Sequence, residues 1–148
     1  MMSIAELLYA IRKLTDRVWV WLGGSHLIAP TTIGGGEHDC ALVSLYWAAP
    51  WFPEDQISEA FEVCAENWPY GGVTNKEFAI ALAYLRAKAH YSPVTETLGA
   101  LLDKKSGRCV ALLHGHFIAI VDGKIVGPDA RLAWRPSTKV YCCWTFSP

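Results

Sequence analysis

The stretch Gly34-Gly-Gly-Glu-His-Asp-Cys-Ala-Leu-Val-Ser-Leu-Tyr-Trp47 joins a flexible glycine run to a strongly apolar segment. The apolar residues after Cys40 stop before Pro50, which predicts a largely buried helix. Asp39 stands at the N-cap, so Cys40 should lie in the first helical turn, where free N–H groups and the positive dipole end favour a thiolate. This is the setting of a catalytic cysteine. A small cysteine packed in the core is the alternative that this stretch leaves open.

Composition limits the class of protein. The chain has 148 residues, of which 52% are hydrophobic, and seven of them are Trp. These values predict one domain, residues 1–148, with an aromatic-rich core. A net charge of −1 gives no electrostatic reason to expect a nucleic acid or an anionic membrane as a partner, and no apolar run has the length of a membrane span.

The N-terminus and the cysteines predict the compartment. The first residues lack the basic segment and the small-residue cleavage site of a signal peptide. The five cysteines are odd in number and have no metal-finger spacing. We therefore expect reduced thiols, a cytoplasmic protein, and neither a metal nor another cofactor.

Helical periodicity precedes strand patterns along the chain, and this order indicates an α+β domain rather than alternating βαβ units. Residues 18–22 form a short β-prone run, either a strand or an extended packing arm. A loop over residues 25–37 follows this run. The predicted helices cover residues 3–14, 40–49, 53–67, 74–89 and 92–104, and the predicted strands cover residues 108–114, 116–121, 124–127 and 139–146.

The pair Asp122-Gly123 predicts a hairpin turn between two of these strands. With a two-residue turn, His116 lies directly opposite Asp129, and both side chains project to one face of the sheet. A three-residue turn shifts the register by one and leaves the two residues adjacent. A carboxylate beside an imidazole fixes its tautomer and stabilises the imidazolium. Asp122 is the competing acid, and we interpret it as a turn residue.

Metal binding is the alternative interpretation of the histidines. His114 and His116 alternate on a predicted strand and would share a face, where Cys109 or Cys142 could complete a zinc site. No paired metal motif accompanies them. The adjacent Cys142 and Cys143 should point to opposite faces of their strand, so they cannot bind one ion together.

Three segments carry a family resemblance: Asp39-Cys-Ala-Leu-Val-Ser-Leu45, Gly72-Val-Thr-Asn-Lys-Glu-Phe78 and the run from His116 to Asp129. They resemble papain-like cysteine peptidases, and are most similar to the compact bacterial peptidases that trim double-glycine leaders from exported peptides. The resemblance covers about residues 34 to 130. It implies a papain-like fold, with an N-terminal helical half packed against a C-terminal antiparallel sheet. It also implies Cys40 as the nucleophile, His116 as the general base and Asp129 as the orienting acid.

The chain departs from that family before the cysteine. Members usually carry a Gln six residues upstream, whose side chain binds the oxyanion, and Gly34 stands there in this sequence. Loss of one such donor typically lowers the rate by about 10²–10³. Another donor would have to join the Cys40 N–H, either a backbone N–H of the glycine run or the His38 side chain. The expected oxyanion and substrate loop is formed by Gly34, Gly35, Gly36, His38 and Asp39.

The expected function is that of a cysteine peptidase or isopeptidase acting on a protein or peptide. A deamidase or transglutaminase would use the same site. A catalytically weak papain-like module, which binds a partner protein through its aromatic cleft, is a function of another class. The absence of the Gln favours that module, whereas the presence of Cys40, His116 and Asp129 together opposes it. Residues 1–30 match nothing in the family, and are either a packing extension, a partner-binding arm or a plug over the cleft.

Overall fold

The computed structural model describes residues 11, 39–68, 71–93, 96–131 and 134–148. The described residues from 39 onward form four α-helices and a five-stranded antiparallel sheet, which confirms the α+β class. The helices are α1 (Cys40–Ala48), α2 (Glu54–Cys64), α3 (Asn75–Tyr84) and α4 (Leu98–Leu102). The strands are β1 (Lys88–Ser92), β2 (Arg108–Leu113), β3 (His116–Val121), β4 (Lys124–Val126) and β5 (Cys142–Ser147).

Helix α1 is buried on every side, since each residue that follows Cys40 in the helix is buried. A helix that is apolar all round has no solvent face to present, and α1 packs against β3, β2 and α2. At its C-terminal end the Arg108 guanidinium donates to the carbonyl oxygens of Trp47 and Ala48, at 3.4 and 3.3 Å. A cation there complements the negative end of the helix dipole. The Cys40 end is therefore the accessible end of the helix.

Helix α3 begins at the predicted capping box. The Thr74 hydroxyl accepts from the Glu77 N–H at 3.1 Å, and a Glu77 carboxylate oxygen accepts from the Thr74 N–H at 3.0 Å. The helix directs Phe78 into an aromatic cluster, with its ring centroid 4.9 Å from that of Phe117 and 4.6 Å from that of Trp144. These contacts attach the helical half to the sheet.

The sheet has the strand order β1-β5-β2-β3-β4 and covers two apolar layers. One face packs against α1, α2 and α3, and the other packs against α4. Cys142 belongs to the first layer and Cys143 to the second, which confirms that the two thiols point to opposite faces.

The β3–β4 hairpin has the predicted two-residue turn. Asp122 and Gly123 both have a positive φ, of 50° and 77°, as a type I′ turn requires. The register is also the predicted one, with Ile120 opposite Ile125. The ladder ends at Val126, however, and a 3₁₀ helix (Pro128–Arg131) follows. Asp129 therefore lies on that 3₁₀ helix rather than opposite His116 on a strand, which corrects the predicted pairing.

The region between α3 and α4 differs from its prediction. Helix α3 ends at Tyr84 instead of Ala89, and residues 88–92 form the edge strand β1. Arg86 has a φ of 54°, which interrupts the helix, and the next residues pair with β5. This pairing partner lies more than 50 residues away along the chain, so the local pattern carried no signal for it. Helix α4 consequently starts at Leu98, capped by the Thr97 hydroxyl, rather than at Ser92.

Several predictions near the N-terminus fall outside the described residues: the helix over residues 3–14 apart from Ile11, the run over residues 18–22 and the loop over residues 25–37. Ile11 is helical and 51% exposed. Among the helices that the structure describes, none combines the length and the apolar character needed to cross a membrane.

We expect Asp122→Ala to lower the free energy of unfolding by about 1–2 kcal/mol. The variant loses the carboxylate that accepts the Gly107 N–H at 3.0 Å, and it places Ala in the left-handed region. Asp122→Asn is the matched control, because Asn keeps an oxygen acceptor and tolerates that backbone conformation. Urea denaturation of both variants tests this. Equal losses for Ala and Asn would show that the turn is not what Asp122 stabilises.

Candidate active site

Cys40 occupies the first turn of α1, as predicted, and is partly exposed at the end of a helix that is otherwise buried. Asp39 is the N-cap residue, and its carbonyl oxygen accepts the Val43 N–H at 2.9 Å. The Cys40 thiol forms no disulfide. Its sulfur therefore lies at the positive end of a helix whose other end is closed by Arg108.

His116 begins β3 and reaches an acid through its ring. The His116 Nε2 and an Asp129 carboxylate oxygen are 3.1 Å apart, and the two side chains are 35% and 16% exposed. The Trp134 ring stacks on the imidazole, with ring centroids 6.1 Å apart and an angle of 23° between the planes. The Trp134 Nε1 also donates to the Asp129 backbone oxygen at 3.4 Å. One tryptophan thus holds both members of the pair.

The pKa of His116 is shifted by both of its neighbours, Asp129 and Cys40. A hydrogen bond with Asp129, followed by one with Cys40, raises this pKa to about 10, although burial acts in the opposite direction. Because Asp129 occupies Nε2, Nδ1 is the ring nitrogen left for the Cys40 sulfur. At neutral pH the ring is then an imidazolium, and a cation beside a thiol favours the thiolate. The structure therefore brings the three residues together: His116 contacts Asp129 at 3.1 Å and lines the same cleft as Cys40.

Gly127 determines where Asp129 lies. Its φ is +86°, and a Cβ there would come within 2.9 Å of the Trp47 ring. The residue must therefore be a glycine for the chain to turn against α1 and enter the 3₁₀ helix. Since Trp47 belongs to the same helix as Cys40, α1 positions both Cys40 and the segment that carries Asp129.

The site opens into a cleft of about 440 Å³. His116 is the one charged side chain among the described residues that line it, so the cleft favours uncharged groups of a ligand. A Cβ at either of its glycines would meet no other atom within 4 Å, which leaves room beside the backbone. The described lining residues are Cys40, Gly72, Val73, Thr74, Asn75, Leu112, Gly115, His116 and Phe117.

Asp39 behaves differently from the predicted cap. Its side chain makes no capping hydrogen bond with α1. A carboxylate oxygen instead accepts the indole N–H of Trp68 at 2.7 Å, and Asp39 is 1% exposed. Of the expected oxyanion and substrate loop, Gly34, Gly35, Gly36 and His38 lie outside the described residues. Their contribution to an oxyanion site stays a prediction.

Two tryptophans of the site, Trp68 and Trp134, were not singled out by the sequence. Composition predicts only that the tryptophans line the core or a cleft. Trp68 contacts a residue 29 positions away, and Trp134 stacks on one 18 positions away. No short motif links residues at these separations, so the folded chain alone brings them together.

The alternative zinc site is not assembled. His114 belongs to the turn between β2 and β3, because β2 ends at Leu113, and this corrects its predicted place on a strand. Cys109 and Cys142 face opposite layers of the sheet. Within the described ranges, no three His, Cys, Asp or Glu side chains are grouped to hold a metal ion.

Comparison of the chain with models of protein families, with curated proteins and with solved structures found no match. The family resemblance of the sequence therefore stays a prediction.

We expect iodoacetamide to label Cys40 faster than the other four cysteines at about pH 6–7, because the thiolate is the reacting species. Burial raises the pKa of Cys64, Cys142 and Cys143, and raises that of Cys109 to about 12. His116→Gln should remove most of the preference, and His114→Gln is the matched control. Mass spectrometry of the labelled peptides measures each rate. Earlier labelling of Cys142 would contradict the assignment.

Stability should depend on pH through the His116–Asp129 pair. The folded-state pKa of His116, about 10, lies above its ordinary value of 6.5. Its contribution to stability is then fully present below about pH 6.5 and is lost as the pH rises towards about 10. Asp129→Asn should therefore be least stable relative to wild type at pH 6, and the gap should narrow by pH 10. Urea denaturation at pH 6, 8 and 10 measures this gap. Asp122→Asn, on the hairpin turn, should show no such narrowing.

Proposed function

We propose that this protein is a papain-like cysteine hydrolase that cleaves peptide or isopeptide bonds. One observation carries the proposal: Cys40, at the start of a buried helix, lines the same cleft as His116, whose ring contacts Asp129 at 3.1 Å and whose pKa is raised by both residues. A nucleophile, a base and an orienting acid in contact are the parts that acyl transfer through a thiol needs. A cysteine packed in the core would need neither the histidine nor the cleft.

Hydrolysis would proceed in two steps. The Cys40 thiolate attacks the carbonyl carbon, and the His116 imidazolium protonates the leaving amine, which yields a thioester and a free amine. The neutral His116 then takes a proton from water, whose oxygen attacks the thioester. This step releases the carboxylic acid, restores the Cys40 thiolate and returns His116 to the imidazolium. Asp129 orients the ring in both steps and stabilises its charged form.

The developing oxyanion would be stabilised by backbone N–H groups at the start of α1. The first N–H groups of a helix have no acceptor within the helix, and the Asp39 side chain does not cap them. Preorganised donors of this kind supply a large part of the rate enhancement in acyl transfer. They would compensate in part for the side chain that Gly34 lacks.

The cleft supports a peptide substrate with small, uncharged residues near the scissile bond. Its described lining carries no charged side chain apart from His116, and Gly72 and Gly115 leave space for a substrate backbone. We also propose that the protein acts in the cytoplasm. All five cysteines are unpaired, which suits a reducing compartment.

A protein-binding module without turnover is the second candidate function. The observation that favours it is Gly34, where the resembling peptidases have a Gln that binds the oxyanion. A module of that kind would bind its partner equally well after Cys40→Ala, and no product would form with the wild-type protein.

We expect the wild-type protein to hydrolyse members of a fluorogenic peptide library and Cys40→Ala to hydrolyse none. His116→Ala should lower kcat/KM by about 10²–10⁴, the usual contribution of a general base. Asp129→Ala should also lower turnover, whereas Asp122→Ala should change stability and leave turnover near wild type. Ammonia release is measured in parallel to detect deamidation. Wild-type inactivity, combined with tight binding of a peptide by Cys40→Ala, would favour the binding module.

A further inference from the structure

The residue before the nucleophile has an unusual partner. An aspartate at an N-cap ordinarily accepts from the N–H groups of the second or third helical residue. The Asp39 carboxylate makes no such bond with α1, and instead accepts the Trp68 indole N–H at 2.7 Å. Asp39 is 1% exposed and Trp68 is half-buried, so the carboxylate end of this hydrogen bond is covered. The Asp39 carboxylate, which could cap the N-terminus of α1, therefore bonds to Trp68 instead.

The position of that carboxylate matters to Cys40. If it capped α1, it would occupy N–H groups of the first turn and bring a negative charge towards the Cys40 sulfur. A nearby like charge disfavours the thiolate. Occupied N–H groups would also no longer be available to an oxyanion. The helix start serves a thiolate better when this carboxylate is elsewhere.

Trp68 packs against the core at the end of an anchored loop. It follows α2 in a loop whose Glu66 N–H donates to a Glu77 carboxylate oxygen at 2.7 Å. The other oxygen of Glu77 completes the capping box of α3. The same connection continues to Gly72 and Val73, which line the cleft. Trp68 therefore connects the wall of the cleft to the residue that precedes the nucleophile.

We propose that Trp68 is a positioning residue that withholds the Asp39 carboxylate from the N-terminus of α1 and thereby keeps the Cys40 thiolate favourable. Its role in oxyanion binding rests on the proposed function. Its role in thiolate formation concerns the chemistry of Cys40 alone, and holds whether or not the protein cleaves peptides.

The test is the pH profile of Cys40 alkylation by iodoacetamide in the full chain. Trp68→Phe removes the indole N–H and retains most of the apolar bulk. Its profile should shift to higher pH by about one unit, so that labelling at pH 6 slows about tenfold. Adding Asp39→Ala to Trp68→Phe should return the profile to that of wild type, because the released carboxylate is gone. Trp51→Phe is the matched control and should leave the profile unchanged.

A second variant keeps the test decisive if Trp68→Phe folds poorly. Trp68→Gln has a side-chain N–H donor that does not titrate and has less bulk, so it should keep the wild-type profile even with a lowered melting temperature. A purely packing role predicts the reverse: both Trp68 variants slow the labelling, and Asp39→Ala rescues neither. That pattern would overturn the proposal, as would an unchanged profile for Trp68→Phe. Failure of the wild-type protein to cleave peptides would remove the proposed function and leave this result standing.

Discussion

The burial of α1 on every side is the constraint on which the other features of the structure depend. A helix without a solvent face must be enclosed by other elements, and here β2, β3 and α2 enclose it. The guanidinium of Arg108 closes its C-terminal end. Among the described residues of the helix, Cys40 at the N-terminal end is the one that is partly exposed. Within α1, exposure is confined to Cys40 because the remainder of the helix is covered.

The same helix also influences where Asp129 lies. Trp47 lies against Gly127, and the absence of a Cβ at Gly127 lets the chain leave β4 and enter the 3₁₀ helix that carries Asp129. His116 belongs to the strand packed against α1. The helix therefore bears on the positions of all three residues. It carries Cys40, it packs against the strand of His116, and its Trp47 contacts the glycine that precedes the Asp129 segment. A substitution that disturbs the packing of α1 would therefore affect stability and the candidate site together.

Two carboxylates, those of Asp129 and Asp39, lie near Cys40 in the fold or in the sequence, and they have different partners. Asp129 raises the pKa of His116 and so supports a cation beside the sulfur. Asp39 is nearer to the sulfur in sequence, and its hydrogen bond to Trp68 keeps its side chain from the helix start. A thiolate is favoured when one carboxylate charges the histidine and the other is held apart. The tryptophans Trp68 and Trp134 each bond one of these aspartates, which gives part of the aromatic content a polar role.

The sequence by itself determined the features that depend on neighbouring residues. The buried helix after Asp39, the capping box of α3, the two-residue turn at Asp122 and the register of its hairpin were all predictable. Caps, turns and apolar runs are decided by chemistry within a few residues. Only the tertiary structure decided the edge strand β1, which pairs with the distant β5, and the contacts of Trp68 and Trp134. The contact between His116 and Asp129 shows both levels. The hairpin brings the two residues near each other. The strand ends where the Gly127 backbone meets the Trp47 ring, a contact that is possible only because Gly127 has no Cβ, and Asp129 therefore lies on a 3₁₀ helix.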